Sequence, residues 1–139
     1  DDDDKKVVPD KTRSELLTAG SWKITAETIN PAYDYDGDGT TETDLHALKD
    51  PCNQDDIIVF KADNTFSIEE GATKCDPTDD QIILSGTWAF VNNENAISLT
   101  TPFGTAETPI TDLTESTLKI VDTFDENGVT YTTTTTYSH

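Results

Sequence analysis

The run Ile82-Ile83-Leu84-Ser85-Gly86-Thr87-Trp88-Ala89-Phe90-Val91 is followed by Asn92-Asn93-Glu94-Asn95 and then by Ala96-Ile97-Ser98-Leu99-Thr100-Thr101. In the first run Ile82, Leu84, Gly86, Trp88 and Phe90 fall on alternate positions. Period-two alternation sets them on one face of a strand and leaves Ser85 and Thr87 on the other. An Asn-rich tetrapeptide between two such runs reads as a reversing turn. The pair is therefore an antiparallel hairpin with one dry and one wet face.

The same pattern extends in both directions. Downstream, strands are expected at 105–113, at 117–123 with Leu118 and Ile120 inward, and at 129–137 with Val129, Tyr131, Thr133, Thr135 and Tyr137 sharing a face. The turns between them are Pro102-Phe103-Gly104, Thr114-Glu115-Ser116 and Asp125-Glu126-Asn127-Gly128. Upstream, strands are expected at 56–61, at 65–70 and at 22–29, the last with Trp22, Ile24 and Ala26 on one face. Before them, residues 11–18 read as a short helix capped by Thr12 or Ser14, with Leu16 and Leu17 as its apolar face and Gly20 ending it. Short turns between consecutive strands make an antiparallel meander. Eight such strands close most readily into an up-and-down barrel, which removes exposed edges. A two-sheet sandwich is the competing architecture. The expected fold is all-β, a barrel over residues 11–139 behind a flexible acidic tether at 1–10.

Composition narrows the function. The chain has 139 residues, with 28 Asp and Glu against 9 Lys and Arg, a formal net charge of -19. Phosphate binding needs Lys and Arg, so nucleic acid is excluded as a partner. An anionic membrane surface is disfavoured for the same reason. No apolar run approaches the ~20 residues of a membrane helix. The 25 Thr suit half-buried pleated surfaces. Metal-protease, nucleophile-elbow, redox CxxC, Walker and dinucleotide motifs are all missing. No acid is set among hydrophobic residues that would raise its pKa. A non-enzymatic, monomeric protein is expected.

The two cysteines flank a hairpin. Residues 56–60 and 66–68 are its strands, and Asp63-Asn64 reads as a two-residue tip. That tip pairs residues whose numbers sum to 127, as those of Cys52 and Cys75 do. A disulfide between them is expected, and with it an oxidising, extracytoplasmic setting.

The junction Leu16-Leu17-Thr18-Ala19-Gly20-Ser21-Trp22 resembles the lipocalin signature, a short helix running into Gly-x-Trp. The chain is similar throughout, from about residue 13 onward, to lipocalin-like lipoproteins of Bacteroidetes-type bacteria. The similarity includes the Asp34–Asp44 loop, the Cys-bearing segments 50–53 and 71–77, and Ser85-Gly86-Thr87-Trp88. The acidic run Asp1–Asp4 resembles the stretch that follows the lipidated cysteine in such proteins. Asp1–Lys5 also spells a protease site used to remove expression tags, although cleavage after Lys5 would remove it. The resemblance implies a calycin-type barrel, no catalysis, an outer-membrane or secreted location, and a lipid anchor on a cysteine upstream. The chain departs from the lipocalin pattern in having no Arg on its last strand to face Trp22.

Asp34-x-Asp36-x-Asp38-Gly39-Thr40-x-Glu42 places oxygen donors at loop positions one, three, five, seven and nine. Gly39 supplies the bend. This spacing wraps an oxygen-rich chain around Ca²⁺. Leu45 stands where an EF-hand has its Glu, so closure falls to Asp44 or to more distant acids such as Asp50, Asp55 or Asp56. A solvated acidic turn is the competing reading. His46 reads as a surface loop residue, since a hard oxygen site would not recruit it. Trp22 and Trp88 read first as core, with Trp22 plugging the closed end, and secondarily as barrel lining. Residues 34–56 and 69–80 carry much of the negative charge, and the disulfide would bring both to one end. A bound cation would relieve that repulsion. Two functions follow as expectations: a cup for a small apolar or amphipathic ligand, or a packed module contacting a protein or glycan through its loops.

Overall fold

The computed structural model describes residues 12–139; the 1–10 tether and Lys11, at the expected domain start, lie outside the described residues. The elements are α1 (Arg13–Leu17), β1 (Ser21–Tyr33), β2 (Glu42–Asp44), β3 (Ile57–Phe60), β4 (Thr65–Glu69), β5 (Ile82–Val91), β6 (Ala96–Thr101), β7 (Gly104–Leu113), β8 (Thr117–Glu126) and β9 (Val129–Ser138). Strands β3 to β9 pair in sequence, β3 pairs with β1, and β9 returns to β1. Every pairing is antiparallel, and the result is the closed eight-stranded barrel that the alternation predicts. Short β2 is an addition the alternation does not show. It pairs with the later part of β1, at Thr28 and Tyr33, while β3 pairs with the first part, at 21–23.

One end of the barrel is packed solid. Leu17, Trp22, Ile58, Phe60, Phe66, Trp88, Ile97, Leu113 and Leu118 form its core. Helix α1 lies across this end. Its capping box is complete: Thr12 Oγ1 accepts from Glu15 N–H at 3.0 Å, and Glu15 Oε1 accepts from Thr12 N–H at 2.8 Å. Arg13 Nε donates to Glu94 O at 2.9 Å, tying the helix to the β5–β6 turn. Leu17 and Trp22 are completely buried, and the indole N–H of Trp22 donates to Leu17 O at 2.9 Å. Trp22 thus plugs the closed end, as its place beside the helix suggests. Trp88 is buried too, its N–H donating to Lys61 O at 2.9 Å.

Gly86 is inward on β5, where a bulky residue has no room. A Cβ there would lie 1.9 Å from Thr100 O and 3.0 Å from the Phe66 ring. Glycine at such a position lets neighbouring backbone approach and the wall bend.

The β3–β4 hairpin corrects the expected register. Ile57 pairs with Glu69 and Phe60 with Phe66, so paired numbers sum to 126 rather than 127. The loop is one residue longer than a two-residue tip. Lys61 N–H donates to Thr65 O at 2.8 Å, Asn64 N–H to Lys61 O at 3.0 Å, and Asn64 takes a φ of 70°. This is a type I turn followed by a left-handed residue, the common three-residue closure. The disulfide forms regardless, because both cysteines lie beyond the ladder. Cys52 is in a short 3-10 turn (Pro51–Asn53), and the Cα atoms of Cys52 and Cys75 are 5.1 Å apart.

The other end is open. It holds the end of β1, the starts of β3, β5, β7 and β9, and the loops between 34 and 56 and between 70 and 81. Strands β7 and β8 pair only at Ile110, Asp112 and Leu113 of β7, near the closed end. Pro109, which has no N–H to give, immediately precedes the first of these pairs. Above it the wall has a seam.

Candidate functional site

Above the packed core the inner faces of β4 to β7 line an open hollow of about 340 Å³. Its floor is Phe66 and Ile68, its wall Leu84, Leu99 and Ala106, and its rim Phe103. The alternation puts these side chains inside, since Phe66 and Leu99 share the face of Trp88 across their ladders. Ile82, expected inward, is half exposed, because a bulge between Ile68 and Glu69 breaks the alternation where Ile82 pairs. Phe103 is 89% exposed at the mouth, an aromatic ring left in water beside an apolar hollow. Neither Trp22 nor Trp88 lines this hollow.

A second hollow, of about 160 Å³, adjoins it. Ile24, Ile58, Ile68 and Tyr137 give it an apolar floor, and Lys49, Asn53 and Asp56 close it. Ile68 lines both hollows. Burial, and then the charges of Glu70 and Asp55, push the Asp56 carboxyl up to about 6, against a smaller opposing pull from Lys49. Burial followed by the charges of Glu27, Asp122 and Asp56 pushes Tyr137 up to about 12. Lys49 Nζ is 3.2 Å from Glu27 Oε1. The raised Asp56 is a feature the sequence does not disclose. Its neighbours in the chain include a run of apolar residues, Ile57-Ile58-Val59-Phe60, but Glu70 reaches it only through the β3–β4 pairing.

On the opposite wall an aromatic lip continues the inner face past the barrel. Tyr33 meets Tyr131 at 4.9 Å and Phe124 at 5.6 Å, and Phe124 stacks on Tyr131 at 5.2 Å. Tyr35, more than half exposed, adds its edge at 6.4 Å from Tyr33, and Tyr33 Oη donates to Glu126 Oε1 at 2.9 Å.

The acidic loop next to this lip gathers four of its expected carboxylates, and the Thr40 hydroxyl donates to two of them, Asp38 Oδ1 at 2.7 Å and Glu42 Oε2 at 3.1 Å. One oxygen each of Asp34, Asp36, Asp38 and Glu42 lies within 4.8 Å of the others. The loop is wound by its own carboxylates. Asp34 Oδ1 accepts from Asp38 N–H at 3.1 Å, and Asp34 Oδ2 from Gly39 N–H at 3.0 Å, with Gly39 at a φ of 92°. Thr40 donates its N–H and its hydroxyl to Asp38 Oδ1, at 2.9 and 2.7 Å, and these bonds hold the Asp38 pKa below its ordinary value. The same Asp-x-Thr turn recurs at Asp63-Asn64-Thr65 and Asp76-Pro77-Thr78, so it is turn chemistry. The convergence of four carboxylates is what sets this loop apart. Such a set of oxygens can hold a hard divalent cation. Asp44 is elsewhere, accepting from Ala47 N–H at 3.1 Å. His46 is partly buried, with Nε2 3.1 Å from Gln54 O.

A family model described as a lipocalin-like domain matches residues 18–120. The chain belongs to this lipocalin-like family. The match spans the Gly-x-Trp junction, both Cys-bearing loops and the lining of both hollows except Tyr137. No curated protein gives a significant match. Members of the family are generally non-enzymatic binding proteins, and the barrel of this lipocalin-like domain suits that role. The Cys52–Cys75 bridge points to an extracytoplasmic setting. Among the described residues, no helix is long and apolar enough to cross a membrane.

Proposed function

We propose that this lipocalin-like domain is a non-enzymatic carrier that holds a small apolar or amphipathic molecule in the open half of its barrel. The observation that carries the reading is the hollow of about 340 Å³ above a solid core, lined by Phe66, Ile68, Leu84, Leu99 and Ala106. A pocket of that size and lining meets the ordinary requirement for small-molecule binding. The neutral fluorescent probe N-phenyl-1-naphthylamine tests it. Saturable, one-to-one enhancement is expected, lost in Leu99→Trp, which fills the hollow. No enhancement, or enhancement indifferent to Leu99→Trp, overturns the reading.

The acidic loop belongs to the same proposal as a structural Ca²⁺ site formed by Asp34, Asp36, Asp38 and Glu42, with Thr40 holding Asp38 and Asp44 bracing the loop's exit. So does the location: an outer-membrane lipoprotein or secreted monomer, with a lipid on a cysteine upstream of the acidic leader. The support is the disulfide, the charge and the acidic leader.

The aromatic lip favours a second reading, an interaction module that meets a glycan or protein. Ring faces at Tyr35 and Phe124 on one loop end are the surface such a partner stacks on. In that case Tyr35→Ala with Phe124→Ala removes partner binding and leaves probe binding intact.

A further inference from the structure

Three carboxylate oxygens are buried without a donor, and one of them belongs to Asp56, which lines the smaller hollow. They are Asp55 Oδ1, Asp56 Oδ1 and Glu70 Oε1; among the described residues none supplies a hydrogen bond to them. Glu70 is 94% buried, taking the complement of its 6% exposure. Buried, unpartnered anions are costly, because desolvation is not repaid by any donor. The fold nevertheless forces them together. Gly71 presses on the start of β3, where an added Cβ would lie 1.8 Å from Asp55 O. Thr73 fixes the other oxygen of Asp55, donating to Oδ2 from its N–H at 3.0 Å and from its hydroxyl at 2.9 Å, which leaves Oδ1 over. The Cys52–Cys75 bridge joins the same two loops. Lys49, the cation of this hollow, is engaged with Glu27. A group of three acids is thus assembled by backbone contact, hydrogen bonds and a covalent bond, and left short of positive charge.

We infer that the molecule held in this barrel is a cationic amphiphile, an alkyl- or aryl-amine whose ammonium group enters the smaller hollow and is received by Asp56 and Glu70, with Asp55 adding its charge from behind, while its apolar part lies in the larger one. This rests on the carrier reading above and names its ligand class. Ile68 is a wall of both hollows, so a chain that crosses that side chain would extend from the smaller into the larger. The smaller holds about 160 Å³. At roughly 30 Å³ per water-sized group, that is room for an ammonium and the first few carbons behind it. An ammonium has three donors to give, and the unpartnered oxygens of Asp56 and Glu70 lack one each. The close convergence that suits a bare metal ion is found in the Asp34 loop, not among these three residues. Burial first, and then the charges of Glu70 and Asp55, raise the pKa of Asp56, and a bound cation would oppose that rise. The overall charge of -19 draws such a ligand in.

The test is calorimetric titration of the protein at pH 7.5 with n-octylamine, n-octanol and octanoate, which share a tail and differ in head. The amine is expected to bind at least tenfold more tightly than the alcohol, and octanoate more weakly than either. In Asp56→Asn with Glu70→Gln the preference for amine over alcohol falls towards unity while alcohol affinity stays. Removing buried charge does not threaten the fold, and a circular dichroism melt checks it. Equal binding of amine and alcohol overturns this inference and leaves the carrier reading standing. Binding of none of the three overturns both. A Ca²⁺ signal abolished by Glu70→Gln alone, in place of any amine preference, assigns the acids to a metal and overturns the inference too.

Discussion

The imidazole of His139 lies 3.8 Å, ring centre to ring centre, from the indole of Trp22, and its Nδ1 is 2.8 Å from Ser21 O. The last strand thereby reaches across to cover the first tryptophan. The sequence has no Arg on that strand to do so, and His139 fills the place with a flat ring instead. With Leu17 beneath, Trp22 is enclosed on both sides.

Removing the plug weakens the whole barrel. Leu17→Ala deletes a fully buried side chain at a site held between helix and strand, and is expected to cost about 3 kcal/mol. Leu16→Ala, which is only partly buried, costs less. Urea denaturation of the two variants measures the difference, and equal midpoints would show that α1 is not a plug.

Gly86→Ala is expected to prevent folding or to cost about 3 kcal/mol or more, since its Cβ would be driven into the Thr100 carbonyl. A folded, equally stable alanine variant by thermal melt contradicts the close approach of β6 there.

Reduction of Cys52–Cys75 opens a bridge between residues 23 apart. Loop-closure entropy puts the loss at about 3 kcal/mol. The check is the denaturation midpoint with and without reductant. Two thiols titrating in the untreated protein would rule out the bridge.

Calcium should stabilise the protein through the Asp34 loop. For a dissociation constant of about 1 mM, usual for weak extracellular modules, 10 mM Ca²⁺ adds about 1.4 kcal/mol. Asp36→Asn with Asp38→Asn abolishes the gain. A melting midpoint unmoved by Ca²⁺ in the unaltered protein disposes of the site.

Asp56 gives stability an inverse pH slope of its own. Its folded pKa of about 6 lies above the ordinary 3.8, so the folded state holds the proton more tightly than the unfolded one. Stability contributed by this group is present at low pH and declines as pH rises from about 4 to about 6. Glu70, Asp55, Lys49 and Tyr137 are the charged and titratable groups around it. Asp56→Asn is therefore expected to melt higher than the parent at pH 7.5, with the gap closing towards pH 4.5. A gap of constant size across that range would mean Asp56 titrates normally.

How far the molecule can be read from its residues differs by region. Alternation at 82–101 yields β5 and β6 to the residue, because their turns are short and their inner face is uniformly apolar. The hairpin at 57–69 is found but slips by one, since Asp63-Asn64 resembles a two-residue tip and only the bond pattern reveals the third. Residues 42–44 carry no apolar alternation, so β2 is invisible until β1 offers it an edge. In the site, the Asp34 loop is legible because its donors are close in sequence. Asp56 with Glu70 is not, because those acids meet across a ladder, and their burial comes from loops folded over them.

The seam between β7 and β8 has a consequence for traffic. Above Ile110 those strands share no rungs, and β1 leaves β3 just as early on the far side, with β2 taking its edge. On that far side the chain between β2 and β3 closes the gap: Leu45 N–H donates to Glu27 O at 2.8 Å, Ile24 N–H to Asp56 O at 3.1 Å, and Lys49 pairs with Glu27. The upper β7–β8 wall has no backbone pairing of this kind, so it is the side of the mouth with the fewest bonds to resist widening around a guest.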